Sequence, residues 1–202
     1  MWEHVSSCTF GIASTGVYGM PIQVQWSHSV LKVRDIEAMT QFYCDALGFE
    51  VADRGTVGAD AEIVFLSGSS RDHHQLGLMT GRSDGDQGSL DHMAFRVGSL
   101  DDVKQMIEWV TADERIGDGA PVTHGNAVSV YFADPEGNGI EIFCDTPWHV
   151  PQPVVRGWDP GKSSDEVLAG VHEKFGENPG MMAMDEYRAQ RAEHFGEEES
   201  TS

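Results

Sequence analysis

The hydrophobic period of the chain changes from strand-like to helix-like at two places. In SHSVLKVRDIEAM (27–39) apolar and polar residues first alternate, the period of a strand. Apolar positions three and four apart then take over, the period of a helix. DHMAFRVGSLDDV (91–103) repeats the sequence of events without a gap. The first helix is expected to open at Asp35, to carry Ile36, Met39, Phe42, Tyr43 and Leu47 on one face, and to stop at Gly48. The second opens at Ser99 and carries Leu100, Val103, Met106, Ile107 and Val110. Three strand-like runs follow each helix, at 50–53, 61–67 and 74–80 and again at 121–123, 127–133 and 139–144. The expected class is therefore α+β: paired βαβββ modules at about 22–82 and 88–146, forming a cupped sheet in one domain over 22–146. TGRSDGDQGS is the linker between the modules.

Such a module covers one sheet face with its helix and leaves the other to line a cavity. Strand parity assigns the faces. Leu31 and Val33 take the helix side, and His28, Val30 and Lys32 the cavity side. Met93, Phe95 and Val97 oppose His92, Ala94 and Arg96 in the same way. Ile140, Ile142 and Cys144 oppose Gly139, Glu141 and Phe143. In RDHHQLGL, parity groups His74 with Leu76 and Leu78, a row assigned to the cavity, and sends His73 to the opposite face. With Val30 and Phe143, the two leucines suggest room for an apolar ring substituent.

The pattern changes after Pro147. PWHVPQPVVRGWDPGK reads as coil, and its Trp148 and Trp158 suggest packing against the domain or a partner subunit. A helix capped by Ser163, with Glu166 placed for a capping box, and a second helical stretch MDEYRAQRAEHF complete the C-terminal extension, 147–202, which ends in an acidic tail. Residues 1–21 read as a flexible leader without signal-peptide character, and Met20-Pro21 offers a second start.

Composition narrows the partners. A formal charge of −20 over 202 residues argues against nucleic acid or an anionic membrane. No apolar run approaches membrane-spanning length. Three scattered cysteines, Cys8, Cys44 and Cys144, suit free thiols in a reducing, cytoplasmic setting. The Trp-bearing extension makes a homo-oligomer the expected state.

His28, His92 and Glu141 have the composition of a facial metal triad, two imidazoles and a carboxylate, which leaves the remaining positions around an ion open. A lone histidine on a strand is usually structural. Two at equivalent repeat positions, with a carboxylate on the same face, argue for a metal. His4, His149, His172 and His194 fall in the leader or extension, where exposure is the default, and Asp134 and Gly137 read as a turn.

At these residues a resemblance can be stated. HSVLKVRDIEAMTQFYCDALGFEV, DHMAFRV and YFADPEGNGIEIF are similar to the vicinal-oxygen-chelate superfamily of paired βαβββ units, over about residues 22–146. Its members include glyoxalase I, epimerases, fosfomycin-resistance transferases, metal-free antibiotic-binding proteins and type I extradiol dioxygenases, so the fold alone does not fix the activity. DHHQLGL resembles the tandem-histidine segment of the extradiol group, which implies an acid/base role for His74. YFADPEGNGIE resembles that group's Tyr-to-carboxylate spacing, which implies a catalytic role for Tyr131. TPWHVPQP resembles the extension of small single-domain catechol dioxygenases. His124, in VTHGNAVSVY, resembles a substrate-binding histidine but stands closer to Tyr131 than the family pattern; an ordinary loop histidine is the equal alternative. The resemblance implies an Fe(II)-dependent dioxygenase, with Mn(II) as the alternative metal, that inserts both atoms of O2 into a small aromatic diol. Two other readings stand beside it: a glyoxalase I-like lyase or epimerase using another divalent metal, and a metal-free small-molecule binder. The first usually needs a fourth ligand near His74, where the repeat offset from Glu141 lands on Gly77.

Overall fold

Alternation produces β1 (Ser29–Val33), the apolar stripe that follows produces α1 (Ile36–Leu47), and β2 (Glu50–Val57), β3 (Ala61–Ser67) and β4 (Leu76–Thr80) complete the first module. The structure is a computed structural model and describes residues 24–86 and 88–195. The expected leader, with His4 and Cys8, and the end of the acidic tail lie outside the described residues, as does the side chain of His194. The second module repeats the order with β5 (His92–Arg96), α2 (Leu100–Ala112), β6 (Ala120–Thr123), β7 (Ala127–Ala133) and β8 (Gly139–Asp145). The fold is therefore α+β and built of two βαβββ modules.

Local chemistry explains the helix boundaries. The Asp35 carboxylate accepts from the Ala38 N–H at 2.9 Å, and the Ser99 hydroxyl accepts from the Asp102 N–H at 3.2 Å. Each satisfies a donor that the first helical turn leaves free. Gly48 ends α1 at φ 65°, a left-handed conformation that costs glycine little.

The first sheet has the order β1-β4-β3-β2. The second runs β10-β6-β7-β8-β5, where β10 (Arg156–Gly157) comes from the C-terminal extension. β1 pairs in parallel with β4, and β5 in parallel with β8. Each module's first strand is thus an end strand of its sheet. β2 is longer than the expected 50–53. Its residues are exposed, so pairing with β3 rather than burial makes it a strand, with a bulge between Val51 and Asp53.

The helix sides of both modules meet in one hydrophobic core. Leu31, Val33, Met39, Phe42, Leu66, Leu76 and Leu78 from the first module join Val103, Val110, Val128, Val130, Ile140 and Ile142 from the second. Burying a side chain of this size contributes roughly 1.5–3 kcal/mol. Phe42 meets Trp109, and Phe49 meets Phe95, each edge-on at 5.9 Å. The Asp134–Gly137 turn forms with Gly137 at φ 85°, and it also joins the modules. The buried Tyr43 hydroxyl donates to Asp134 Oδ2 at 2.8 Å, and the Arg34 and Asp35 N–H groups donate to Glu136 Oε1 at 2.7 and 2.9 Å. Burial, followed by the Asp134 charge, pushes the Tyr43 phenol well above its ordinary pKa.

The extension packs on the second module rather than standing free. Val150, Trp158 and, from α3 (Ser164–Phe175), Val167, Val171 and Phe175 join the core. The capping box at Ser163 and Glu166 forms as its sequence suggests. β9 (Trp148–His149) pairs with β11 (Met182–Ala183), next to α4 (Met184–Phe195). His149 is half-buried and stacks on Tyr187 at 3.7 Å, contrary to the exposure expected of an extension histidine. Among the described residues, no helix is long and apolar enough to cross a membrane.

Candidate metal and substrate site

Antiparallel pairing of β7 and β8 sets Tyr131 opposite Glu141 and Ser129 opposite Phe143, while parallel pairing of β5 and β8 sets Ala94 beside Glu141. Glu141, with isoleucines on both sides in sequence, is only 8% exposed. A carboxylate so buried needs partners. Its Oε1 accepts the Ser129 hydroxyl at 2.6 Å, and its Oε2 faces His92 Nε2 across 3.6 Å. His92 Nδ1 lies 2.6 Å from Asp91 Oδ2. A carboxylate can only accept, so Nδ1 donates to Asp91, and Nε2 is the nitrogen turned toward Glu141.

Beside this pair, Tyr131 Oη lies 3.0 Å from His124 Nε2, and His124 Nδ1 lies 2.8 Å from the Val154 carbonyl. The carbonyl fixes the tautomer in the same way: Nδ1 donates to it, and Nε2 accepts from the Tyr131 hydroxyl. Burial, then the Glu141 carboxylate and Asp91, raise the Tyr131 pKa far above the usual phenol value. The phenol is a donor at every ordinary pH. His124 is thus tied into the site by the extension's own backbone. Trp158 adds a second tie, donating through Nε1 to the Ser129 carbonyl at 2.9 Å.

The first module gathers a different set. The exposed His28 stands 4.2 Å, ring to ring, from His74, and His74 lies 4.5 Å from Phe65. His73 and His74 approach through their Nδ1 atoms at 3.0 Å, and His73 Nε2 is 3.7 Å from Asp53 Oδ2. Partial burial, followed by the nearby His28 and His73, lowers the His74 pKa. Gly77 pairs with Val30, and a Cβ there would come within 3.0 Å of a Val30 methyl. The position where a fourth ligand could stand is therefore bare and closed.

Two expectations about this segment need correction. β4 begins at Leu76, not at residue 74, so extending strand parity back to His74 fails. Leu76 and Leu78 are fully buried on the helix side with Leu31, while Gly77 shares a face with Val30 and Phe65. The two leucines are core and not cavity lining. His74 reaches the Phe65 face because residues 73–75 are loop, and His73 follows it there instead of taking the opposite face.

A further difference concerns the whole arrangement. The structure brings His92, Glu141, Tyr131 and His124 together, and separately His28 and His74. Among the described residues no three His, Cys, Asp or Glu side chains stand close enough to hold one metal ion. Much of the face expected to line a cavity is open: His28, Val30, Lys32, Ala94 and Arg96 are exposed, whereas Glu141 is buried and His92, Gly139 and Phe143 are half-buried. A groove of about 670 Å³ lies between β1 and β5, with Trp26, Phe49, Leu90, Met93 and Phe95 in its walls and His92, Ala94 and Arg96 along it. Within the second module the donor set suits a divalent metal, because an imidazole nitrogen and a fixed carboxylate oxygen face each other. Sequence reasoning missed the site roles of Ser129, Asp91 and Phe65, and of Trp158 it foresaw only that it packs. Ser129 shares strand parity with Tyr131, and Phe65 lies within the expected strand 61–67, so both were within reach; Asp91 and the Trp158 bond depend on loop and extension geometry that no period encodes.

A sequence model of the Glyoxalase/Bleomycin resistance protein/Dioxygenase superfamily matches residues 25–142. The chain is 31% identical over 133 residues to biphenyl-2,3-diol 1,2-dioxygenase 3 of Rhodococcus globerulus, covering 62% of this chain and 66% of that protein. It is 32% identical over 127 residues to catechol-2,3-dioxygenase of Bacillus subtilis, covering 59% and 41%. The matched region thus spans less than two thirds of either relative. Among solved structures, the fosfomycin resistance protein FosX of Listeria monocytogenes matches with a TM-score of 0.50 at 20% identity, over 62% of this chain and 96% of that one. That likeness concerns the fold alone.

Proposed function

The chain belongs to the Glyoxalase/Bleomycin resistance protein/Dioxygenase superfamily, and from that premise we propose that it is an extradiol dioxygenase, opening the ring of a catechol-type diol with O2. His28, His92 and Glu141 would hold the divalent metal, Fe(II) with Mn(II) as the alternative. His74 and Tyr131 would handle protons, and His124 would bind substrate. The two curated relatives, named for dioxygenases of aromatic diols, support this choice within the superfamily. The observation that carries it is the hydrogen-bonded pair of Tyr131 and His124 beside Glu141.

When bound, the metal supplies the electron exchange with O2 that side chains cannot. The other roles belong to the residues of this chain. Tyr131, held protonated, offers its O–H to an anionic oxygen of the diol, and His124 Nε2 is the acceptor that the hydroxyl leaves in doing so. His74, with its pKa lowered, is neutral near pH 7. It can take a proton from the second hydroxyl and return it to the product, a role worth typically 10²–10⁴-fold in rate. Phe65 and Val30 offer apolar surface to the ring. The bare Gly77 position argues against a fourth protein ligand and so against the lyase reading.

The experiment is anaerobic loading with Fe(II), then a panel of catechols followed by O2 uptake and the absorbance of ring-opened product. Ring opening with at least one catechol is expected. Its absence with every catechol at full iron occupancy overturns the proposal. His74→Ala should keep its iron and lose turnover by about 100-fold or more; loss of iron instead would make His74 a ligand.

A further inference from the structure

We infer that Gln152, in the C-terminal extension, is a positioning residue of the candidate site. Its side-chain amide holds the segment 150–154 over His124 and so sets which ring nitrogen of His124 faces Tyr131. The inference rests on the substrate-binding role proposed above for His124 and adds a surface residue that governs it.

Both ends of the Gln152 amide are engaged. Its Nε2 donates to the His124 carbonyl at 2.8 Å and to the Val150 carbonyl at 3.0 Å, and its Oε1 accepts from the Val154 N–H at 3.1 Å. These partners fix the orientation of the amide, because turning it over would face an oxygen to two carbonyls and an NH2 to an N–H. Gln152 therefore closes the turn 150–154 on itself and fastens it to the His124 main chain. Val154, at the end of that turn, offers its carbonyl to His124 Nδ1 at 2.8 Å. One short segment thus grips His124 twice, at its main chain and at its ring, and Gln152 ties the two grips together.

The consequence lies at the other ring nitrogen. With its Nδ1–H committed to Val154, the ring turns a bare Nε2 to the Tyr131 hydroxyl at 3.0 Å and accepts from it. Without the amide, the Val154 carbonyl is no longer held at Nδ1, and the ring proton is free to move to Nε2. An Nε2–H would donate to Tyr131 and reverse the bond, so that the phenol accepts and its own proton points elsewhere. The loop itself has other supports. Asn126 Oδ1 accepts from the Val150 N–H, and the Asn126 carbonyl accepts from the Thr146 N–H at 2.8 Å. Gln152 is also solvent-exposed and adds nothing to the core. Its work is the placing of His124.

The tautomer of His124 tests this in the protein without metal or substrate. Nitrogen NMR of histidine-labelled protein reads it at about pH 8.5, where an ordinary imidazole is neutral, and His124→Ala identifies the signal. The wild-type ring should be in the Nδ1–H form. Gln152→Met, of similar length without polar atoms, and Gln152→Glu, which keeps the acceptor and loses the donors, should each give a mixture of tautomers. Lys174→Met removes a different tie of the extension, from Lys174 Nζ to the Gly157 carbonyl at 2.7 Å, and should leave the single tautomer. Circular dichroism checks that each variant folds. A wild-type ring in the other form, a folded Gln152 variant that keeps the wild-type tautomer, or a Lys174 variant that loses it overturns the inference. In turnover, both Gln152 variants should raise KM for the catechol by about tenfold and change kcat less, because His124 serves binding; an unchanged KM overturns the inference as well. If the iron-loaded wild type opens no catechol, the dioxygenase reading fails by itself, and the tautomer alone decides the role of Gln152.

Discussion

The two modules share a plan but treat their candidate ligands differently. His28 is exposed, its nearest polar partner being Ser27 Oγ at 3.2 Å, and its ring neighbour His74 stands on a loop. Glu141 is buried, and Ser129 holds one of its oxygens. Tyr131 is fixed through His124 to the Val154 carbonyl, and the Ser129 strand is fixed through its own carbonyl to Trp158. Both outer ties come from the C-terminal extension, which adds a strand to the second sheet and none to the first. The extension is therefore a brace for one half of the site. A carboxylate and a phenol brought out of water need every partner supplied by the fold, whereas a solvated imidazole does not. One half is pre-organised by its partners, and the other stands in solvent.

The sharpest way to break this comparison is to weaken the same kind of support in both halves. Ser129→Ala frees Glu141 Oε1 in a buried setting and should cost about 10–100-fold in metal affinity, the usual range for a group that orients a ligand. Ser27→Ala, at the exposed His28, should change it little. Calorimetric titration with Mn(II) reads both. Equal losses would mean that the two halves are organised alike.

A second prediction concerns what holds the halves in one chain. Tyr43→Phe deletes the buried hydrogen bond to Asp134 but leaves that carboxylate with the Glu136 and Asn138 N–H groups. The expected cost is about 0.5–1.5 kcal/mol, the net worth of one such bond. It should be read as a lower urea midpoint at unchanged slope. A changed slope would mean that the modules no longer unfold together, and the shared core would be a weaker junction than it looks.

Sequence reading went furthest where a period was long and regular. Both helices with their caps, most of the strands and the faces of β5 and β8 were legible, because alternation and 3.6-residue spacing are direct consequences of burial. His92 and Glu141 were legible as residues on those faces, and Tyr131 as one on β7. Legibility ended at strand boundaries: shifting the start of β4 by two residues turned Leu76 and Leu78 from cavity lining into core. It ended again with relations between elements. Nothing in either module's pattern says that both helix sides share a core and leave the ligand faces open, or that Val154 fixes the tautomer of His124.

The smallest effect belongs to the brace itself and depends on pH. Glu166 closes the capping box of α3, accepting the Ser163 hydroxyl at 2.7 Å and the Ser163 N–H at 2.9 Å. These bonds, side chain first, hold its carboxyl below the ordinary value. A carboxylate whose pKa is lower in the folded than in the unfolded state stabilises the fold fully above the unfolded value, near 4.3, and loses that contribution as pH falls through the folded one. Glu166→Gln cannot titrate, so the gap in urea midpoint between wild type and variant should be steady from pH 7 to about 5 and shrink below about 4. The loss should be felt in the extension and the second module, seen as faster hydrogen exchange at 163–175 and around Ser129, with residues 61–80 of the first module unchanged. Equal loosening on both sides would show that the extension braces the whole domain rather than one half of the site.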